Sequence, residues 1–126
     1  MAEKKVVVHP GRIMAELQRK NISPRRRGYL ENAMQVIDST LNSAHRLVVT
    51  EDIPVRPGSL TLGKKYLDGD VYLLREDNTT FLRDCVQEGD DVEVFGAYRR
   101  ICVRWAIDDI KSTGANAIVS RRGTVI

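Results

Sequence analysis

The chain has 126 residues, of which 42% are hydrophobic and 29% charged; this excludes a disordered protein and fits one globular domain with a small accessory element. Aromatic residues make up only 6%, with a single tryptophan, and a small domain with so little aromatic bulk often completes its burial by oligomerising. The net charge of +3 is uneven, because residues 1–46 carry nine Lys or Arg against four acids, which gives +5.

Nothing in the sequence suggests export or membrane insertion. The apolar run that follows Lys5 is three residues long, and no apolar stretch approaches the roughly 18 residues that a membrane span needs. Cys85 and Cys102 form no recognisable disulfide framework and are expected to be free thiols in a reducing compartment. We therefore expect a cytoplasmic protein with no membrane partner.

Two helices are predicted in the first third of the chain. The first spans residues 12–20. The second spans residues 24–42 and starts at Ser23-Pro24, with serine as N-cap and proline at the first helical position. Its apolar face has helical spacing and consists of Leu30, Ala33, Met34, Ile37 and Leu41. This face needs a partner surface, so we predict that the helix packs within the same chain and leaves the turn at residues 25–27 exposed.

From residue 46 the pattern favours strands. They are predicted at residues 46–50, 59–62, 71–74, 92–95 and 116–119, although 92–95 equally fits an extended loop, and a short helix is predicted from Asp77 to Val86. The fold class is therefore α+β: a two-layer arrangement of a small sheet packed by one long helix, with an N-terminal helical extension. The expected domains are a basic helical extension at residues 1–45 and an α+β core domain at 46–126.

The long helix is predicted at residues 97–113, and it carries two apolar stripes instead of one. The stripes are Tyr98, Ile101, Cys102 and Trp105, and Val103, Ala106, Ile107 and Ile110. A helix that rests on one sheet needs a single apolar stripe, so a second cover is expected from the N-terminal helices or from a neighbouring subunit. We expect Tyr98, Ile101 and Trp105 at or near an oligomer interface.

The segment Gly-Ala-Asn-Ala-Ile-Val at 114–119, preceded by the long helix, resembles the YbjQ-like family, often labelled putative heavy-metal-binding proteins. Similar positions upstream are Leu47-Val48-Val49-Thr50, Pro57-Gly58, Leu62-Gly63, Asp68-Gly69-Asp70-Val71 and Gly96-Ala97-Tyr98. The resemblance covers residues 47–126 and implies a small two-layer subunit that assembles into a ring, often of five. The helix and Gly-Ala-Asn motif also resembles the apical region of group II chaperonins, and residues 1–45 are unexplained by either family.

Metal, cofactor and catalytic motifs are missing from the sequence. The soft ligands His9, His45, Cys85 and Cys102 have no paired spacing, so no metal site is predicted despite the family label. No nucleophile elbow or phosphate loop is present, and Cys102 is interpreted as a core thiol. The acidic pairs at 90–91 and 108–109 are interpreted as solvated or helix-end charges. We expect no cofactor and no enzymatic activity.

Three consecutive arginines are the sharpest anomaly in the sequence. Arg25, Arg26 and Arg27 lie in the first turn of a predicted helix, where positive charge opposes the helix dipole. With Arg12 and Lys20 they predict a surface that meets an anion, a nucleic acid or an acidic protein. The alternatives are a solvated turn and pairing with the acidic stretch at 88–93.

Two functions from different classes follow from these observations. The first is a non-enzymatic, homo-oligomeric binding or scaffold module of unknown ligand. The alternative is a nucleic-acid-binding accessory protein that uses the basic N-terminal third.

Overall fold

Parallel strands alternate with helices in the described part of the chain. The computed structural model describes residues 3–43, 47–51, 71–75 and 85–126. The strands are β1 (Glu3–Val8), β2 (Leu47–Glu51), β3 (Val71–Arg75), β4 (Asp91–Ala97) and β5 (Asn116–Val125), and the helices are α1 (Pro10–Leu17), α2 (Pro24–Ser43) and α3 (Cys102–Lys111). The predicted mixture of helices packed on a small sheet is confirmed. Within these ranges, no helix has the length and apolar character needed to cross a membrane.

The first strand lies in the middle of the sheet. The strand order is β3-β2-β1-β4-β5, and all four neighbouring pairs are parallel. The expected boundary between residues 1–45 and 46–126 is therefore wrong, because β1 joins the two halves of the sheet. The charges that precede its valines are neutralised in place: Lys4 Nζ lies 2.6 Å from Asp90 Oδ2, and Lys5 Nζ lies 2.7 Å from Glu93 Oε1.

Helices cover both faces of the sheet, which adds a second helical layer to the expected two-layer packing. On one face the buried residues of the sheet pack against α1 and α2. The sheet residues are Val7, Phe95, Ala97 and Val125, and the helix residues are Ile13, Leu30, Ala33 and Ile37. On the other face Val6, Val8, Val92 and Val94 pack with Val103, Ala106 and Ile110 of α3. A parallel sheet buried on both faces explains the uninterrupted valine run of β1.

The second predicted helix is confirmed nearly to the residue. Its N-cap acts as predicted, since the Arg26 backbone N–H donates to Ser23 Oγ at 3.1 Å. The intramolecular packing is also confirmed for Leu30, Ala33 and Ile37, which are at most 1% exposed. However, α2 and α3 lie on opposite faces of the sheet, so α2 does not cover the second stripe of α3. The predicted strand at 59–62 and most of the helix at 77–86 lie outside the described residues.

The long helix begins later than predicted. Residues 98–101 form a turn after β4, and the Tyr98 carbonyl accepts the N–H groups of Ile101 at 3.0 Å and Val103 at 3.2 Å. As a result α3 starts at Cys102, and this cysteine moves from the predicted helix interior to the first helical position.

Candidate functional site at the switch point

The strand order defines where a ligand crevice forms. From β1 the chain proceeds outward through β2 to β3, and then returns to place β4 on the opposite side of β1. Connections on the two sides of this point lead to opposite faces of the sheet, and ligands of doubly wound α/β proteins bind at the carboxyl ends of the two central strands. In this chain those strands are β1 and β4.

The two strand ends approach each other unusually closely. Val8 pairs with Gly96, and a Cβ added at Gly96 would lie 1.9 Å from the Val8 carbonyl oxygen. Gly96 also has φ 114°, a conformation that side chains rarely adopt. Only glycine fits here, so this residue brings the segments that follow β1 and β4 next to each other.

The segment after β1 is a tight turn into α1. His9 has φ 47° and ψ 52°, in the left-handed region, and its carbonyl accepts the Arg12 N–H at 3.0 Å. Pro10 opens the helix, where its fixed φ suits the first helical position. Left-handed non-glycine residues are uncommon and cluster at functional sites. His9 is also 2% exposed, which buries a titratable ring at the switch point.

The segment after β4 leads to a half-buried thiol. Cys102 is the first residue of α3 and is intermediate in exposure, as is the chain's other described cysteine, Cys85. Helix N-termini favour thiolates because the partial positive charge of the helix dipole lies there. The N-terminal turns of α1 and α3 both contain no acidic residue. Each of these two helix ends therefore contributes a partial positive charge at the carboxyl edge of the sheet.

A hydrogen-bonded cluster supports the turn before α3. Glu16 accepts Arg26 Nε at 2.8 Å and Nη2 at 3.2 Å, and the Tyr98 hydroxyl donates to Glu16 Oε2 at 2.9 Å. The hydrogen bond from Arg26 holds the pKa of Glu16 below its ordinary value, although burial opposes this. Burial and then the bond to Glu16 raise the pKa of Tyr98. The cluster joins α1, α2 and the turn at residues 98–101.

The predicted anion-binding residues do not act together as one free surface. Arg25, Arg12 and Lys20 are exposed. Arg26 is engaged by Glu16 and lies 5.5 Å from the centre of the Tyr29 ring, while Arg27 donates from Nη1 to the Leu17 carbonyl at 3.0 Å. The turn at residues 25–27 is therefore only partly exposed, and the internal partner of Arg26 is Glu16 instead of the acidic stretch at 88–93.

The three predicted interface residues differ in exposure. Trp105 is 68% exposed and Ile101 is 52% exposed, one turn apart on the outer side of α3. Tyr98 is less exposed: its side chain is half-buried, and its hydroxyl donates a hydrogen bond to Glu16. Two of the three residues thus form an exposed apolar pair.

The sequence predicts that the acidic pairs at 90–91 and 108–109 are solvated or helix-end charges. Asp90 differs from this prediction because it is buried. It is 3% exposed, pairs with Lys4 and accepts the Gln87 N–H at 2.8 Å, so it belongs to the buried base of the sheet. Among the residues that the structure describes, no group of three or more His, Cys, Asp or Glu side chains is arranged to hold a metal ion.

Comparisons with known proteins identify no relative: no protein family, no curated protein and no solved structure matches this chain. The likeness to the YbjQ-like family stays a prediction. The architecture is a five-stranded parallel sheet with helices on both faces, and its strand order reverses between β1 and β4. Sequence reasoning did not place His9 at the end of a central strand, and the available signal was a short valine strand followed by His-Pro-Gly.

Proposed function

We propose that this protein binds a small molecule in the crevice between the N-termini of α1 and α3, and that Cys102 is the reactive group of the site. The observation that supports this most strongly is the switch point. β1 and β4 are neighbouring strands there; His9 directly follows β1, and Cys102 follows the end of β4 by five residues as the first residue of α3.

The electrostatics of the crevice favour a ligand that carries or develops negative charge. The N-termini of α1 and α3 both follow the carboxyl ends of central strands and lack acidic residues, and backbone N–H groups at such ends bind oxyanions. Arg12 in the first turn of α1 and Arg100 just before α3 are both exposed and add positive charge at the rim. The ligand class that fits is a small carbonyl compound whose oxygen becomes an oxyanion on attack.

The chemistry we assign is acyl transfer to sulfur. The Cys102 thiol passes its proton to His9 and its sulfur attacks the carbonyl carbon, so that the carbonyl oxygen becomes an oxyanion. The oxyanion then collapses, the bond to the leaving group breaks, and the leaving group departs with the proton returned by His9. A thioester to Cys102 results, and water then hydrolyses it. Cysteine and histidine are a recurrent nucleophile and base pair in such reactions. This proposal replaces the sequence-based expectation of a non-enzymatic module.

An activated ester tests the proposal without knowledge of the substrate. With 4-nitrophenyl acetate, the protein should release a stoichiometric burst of nitrophenolate, and mass spectrometry should find the acetyl group on Cys102. Cys102→Ser should abolish the burst. Cys85→Ser is the matched control, because Cys85 is also half-buried and outside any disulfide, and it should retain the burst. Acetylation of both cysteines at equal rates would contradict the proposal.

The exposed pair on α3 favours a second property, which is self-association. Tryptophan is enriched at the centres of protein interfaces, and an isolated surface rarely exposes so much of one. With Ile101 and Trp105 on the outer side of α3, we propose a homo-oligomer through this helix, as the two apolar stripes already suggested.

Light scattering tests this property. Trp105→Glu should convert the oligomer to a monomer, whereas Ile118→Glu, at a residue 64% exposed on β5, should leave the mass unchanged. A protein that is monomeric at tens of micromolar before any substitution would contradict the proposal. Nucleic-acid binding through the N-terminal third stays a prediction that no observed contact favours.

A further inference from the structure

A large bulge interrupts β5 beside α2. The ladder with β4 pairs Val94 with Val119 and then Gly96 with Thr124, so residues 120–123 lie opposite the single residue Phe95. Bulges re-aim side chains and occur often next to functional sites.

The bulge is held in a defined shape. The Gly123 N–H donates to Ser120 Oγ at 3.0 Å, and Thr124 Oγ1 donates to the Ser120 carbonyl at 2.5 Å. Arg99 clamps its outer side, donating from Nη2 to the Arg121 carbonyl at 3.1 Å and from Nε to Thr124 Oγ1 at 3.0 Å. A Cβ on Gly123 would lie 2.3 Å from the Phe95 ring, so the turn rests directly on the core.

The bulge directs two adjacent arginines to the same groove. In a regular strand neighbouring side chains point to opposite faces, yet Arg121 and Arg122 both line a surface groove of about 340 Å³. The opposite wall is one side of α2. Its lining residues there are Tyr29, Asn32, Gln35 and Val36.

Among the described residues, no acid balances the charges in this groove. Within the described ranges, neither Arg121 nor Arg122 forms a salt bridge, and both are exposed. The wall opposite supplies two amide side chains and no acid. Placing two like charges side by side on a rigid turn opposes stability, so an anionic partner is the natural complement.

We propose that this groove, the bulge groove, is a second binding site, and that it takes the phosphate or carboxylate group of a small anionic molecule. Two guanidinium groups present paired donors that match the oxygens of either group, and the amides of Asn32 and Gln35 can donate to further oxygens. The bulge groove lies between α2 and the edge strand β5, and the proposal is independent of Cys102.

Titration with inorganic phosphate and, separately, with succinate tests the proposal. At low salt, with sodium chloride at matched ionic strength as reference, one of the two anions should shift the amide resonances of residues 120–124 saturably and raise the melting temperature. The better anion identifies the group. Changing Arg121 and Arg122 to Gln should weaken binding roughly tenfold or more.

The matched control is the double variant Arg104→Gln and Lys111→Gln, which removes two exposed cations of α3 and should leave the affinity unchanged. Equal weakening by both double variants would mean that net charge alone attracts the anion and would overturn the proposal. So would no saturable shift with either anion. Tighter binding of an oligonucleotide than of both small anions, abolished by Arg121 and Arg122 to Gln, would overturn the small-molecule assignment.

Discussion

Substitution of Glu16 by Gln probes the cluster that supports the turn before α3. The Glu16 side chain is 14% exposed and that of Arg26 is 30% exposed, so their ion pair is partly shielded from water. Hydrogen bonds to charged groups contribute about 1.5–3 kcal/mol each, whereas exposed ion pairs contribute about 0–1 kcal/mol. Glutamine keeps one acceptor oxygen for Arg26 or Tyr98 and loses the charge. We expect Glu16→Gln to lower the free energy of unfolding by about 1–2 kcal/mol at pH 7.

The stabilisation that Glu16 provides should depend on pH. The folded-state pKa of Glu16 is lowered from its ordinary value of 4.5, mainly by the bond from Arg26. Its stabilisation is therefore fully present above pH 4.5 and is lost as the pH falls through the folded-state pKa. The difference between wild type and Glu16→Gln should shrink over that acidic range.

Urea unfolding followed by circular dichroism, at pH 7 and in steps below pH 4.5, measures this difference. Glu31→Gln is the matched control, because Glu31 is an exposed carboxylate on α2, and it should change stability by less than about 0.5 kcal/mol. A difference for Glu16→Gln that stays constant as the carboxyl protonates would refute the reasoning.

Three further substitutions and one truncation test the fold. Gly96→Ala should lower the free energy of unfolding in urea by about 3 kcal/mol or more, because the added Cβ would lie 1.9 Å from a backbone oxygen of β1. Gly28→Ala is the control: no atom lies near its Cβ, so it should stabilise α2 by about 0.5–1 kcal/mol. Asp90→Asn should cost about 3–5 kcal/mol by leaving the ammonium of Lys4 buried without its partner charge, and a loss below about 1 kcal/mol would contradict this. A chain that begins at His45 lacks the central strand and should show no cooperative thermal unfolding; an unchanged melt would place residues 1–44 outside the core.

The sequence predicted those helices and strands whose start signals and hydrophobic spacing lie within the element itself. The helix at residues 24–42 was predicted because Ser23 and Pro24 mark its start and its apolar face has a regular spacing. The strands at 46–50, 71–74 and 92–95 correspond to β2, β3 and β4 for the same reason. These elements depend on residues close in sequence.

Elements that depend on distant partners were missed. β1 looked like a charged segment with three valines, because the acids that neutralise Lys4 and Lys5 lie more than 80 positions away. The start of α3 was placed five residues early, since the apolar stripe continues through the turn at residues 98–101. That error hid the candidate site, because it made Cys102 an interior helix residue instead of the first residue of α3.

The reactivity of Cys102 relative to Cys85 tests the central claim most directly. Neither cysteine forms a disulfide and both are half-buried, so they form a matched pair within one molecule. With limiting iodoacetamide near neutral pH, followed by peptide mass spectrometry, Cys102 should be alkylated at least about tenfold faster than Cys85, because a helix N-terminus favours the thiolate. His9→Gln should slow Cys102 and leave Cys85 unchanged. Equal alkylation rates for the two cysteines in the folded protein would contradict a reactive thiol at the switch point.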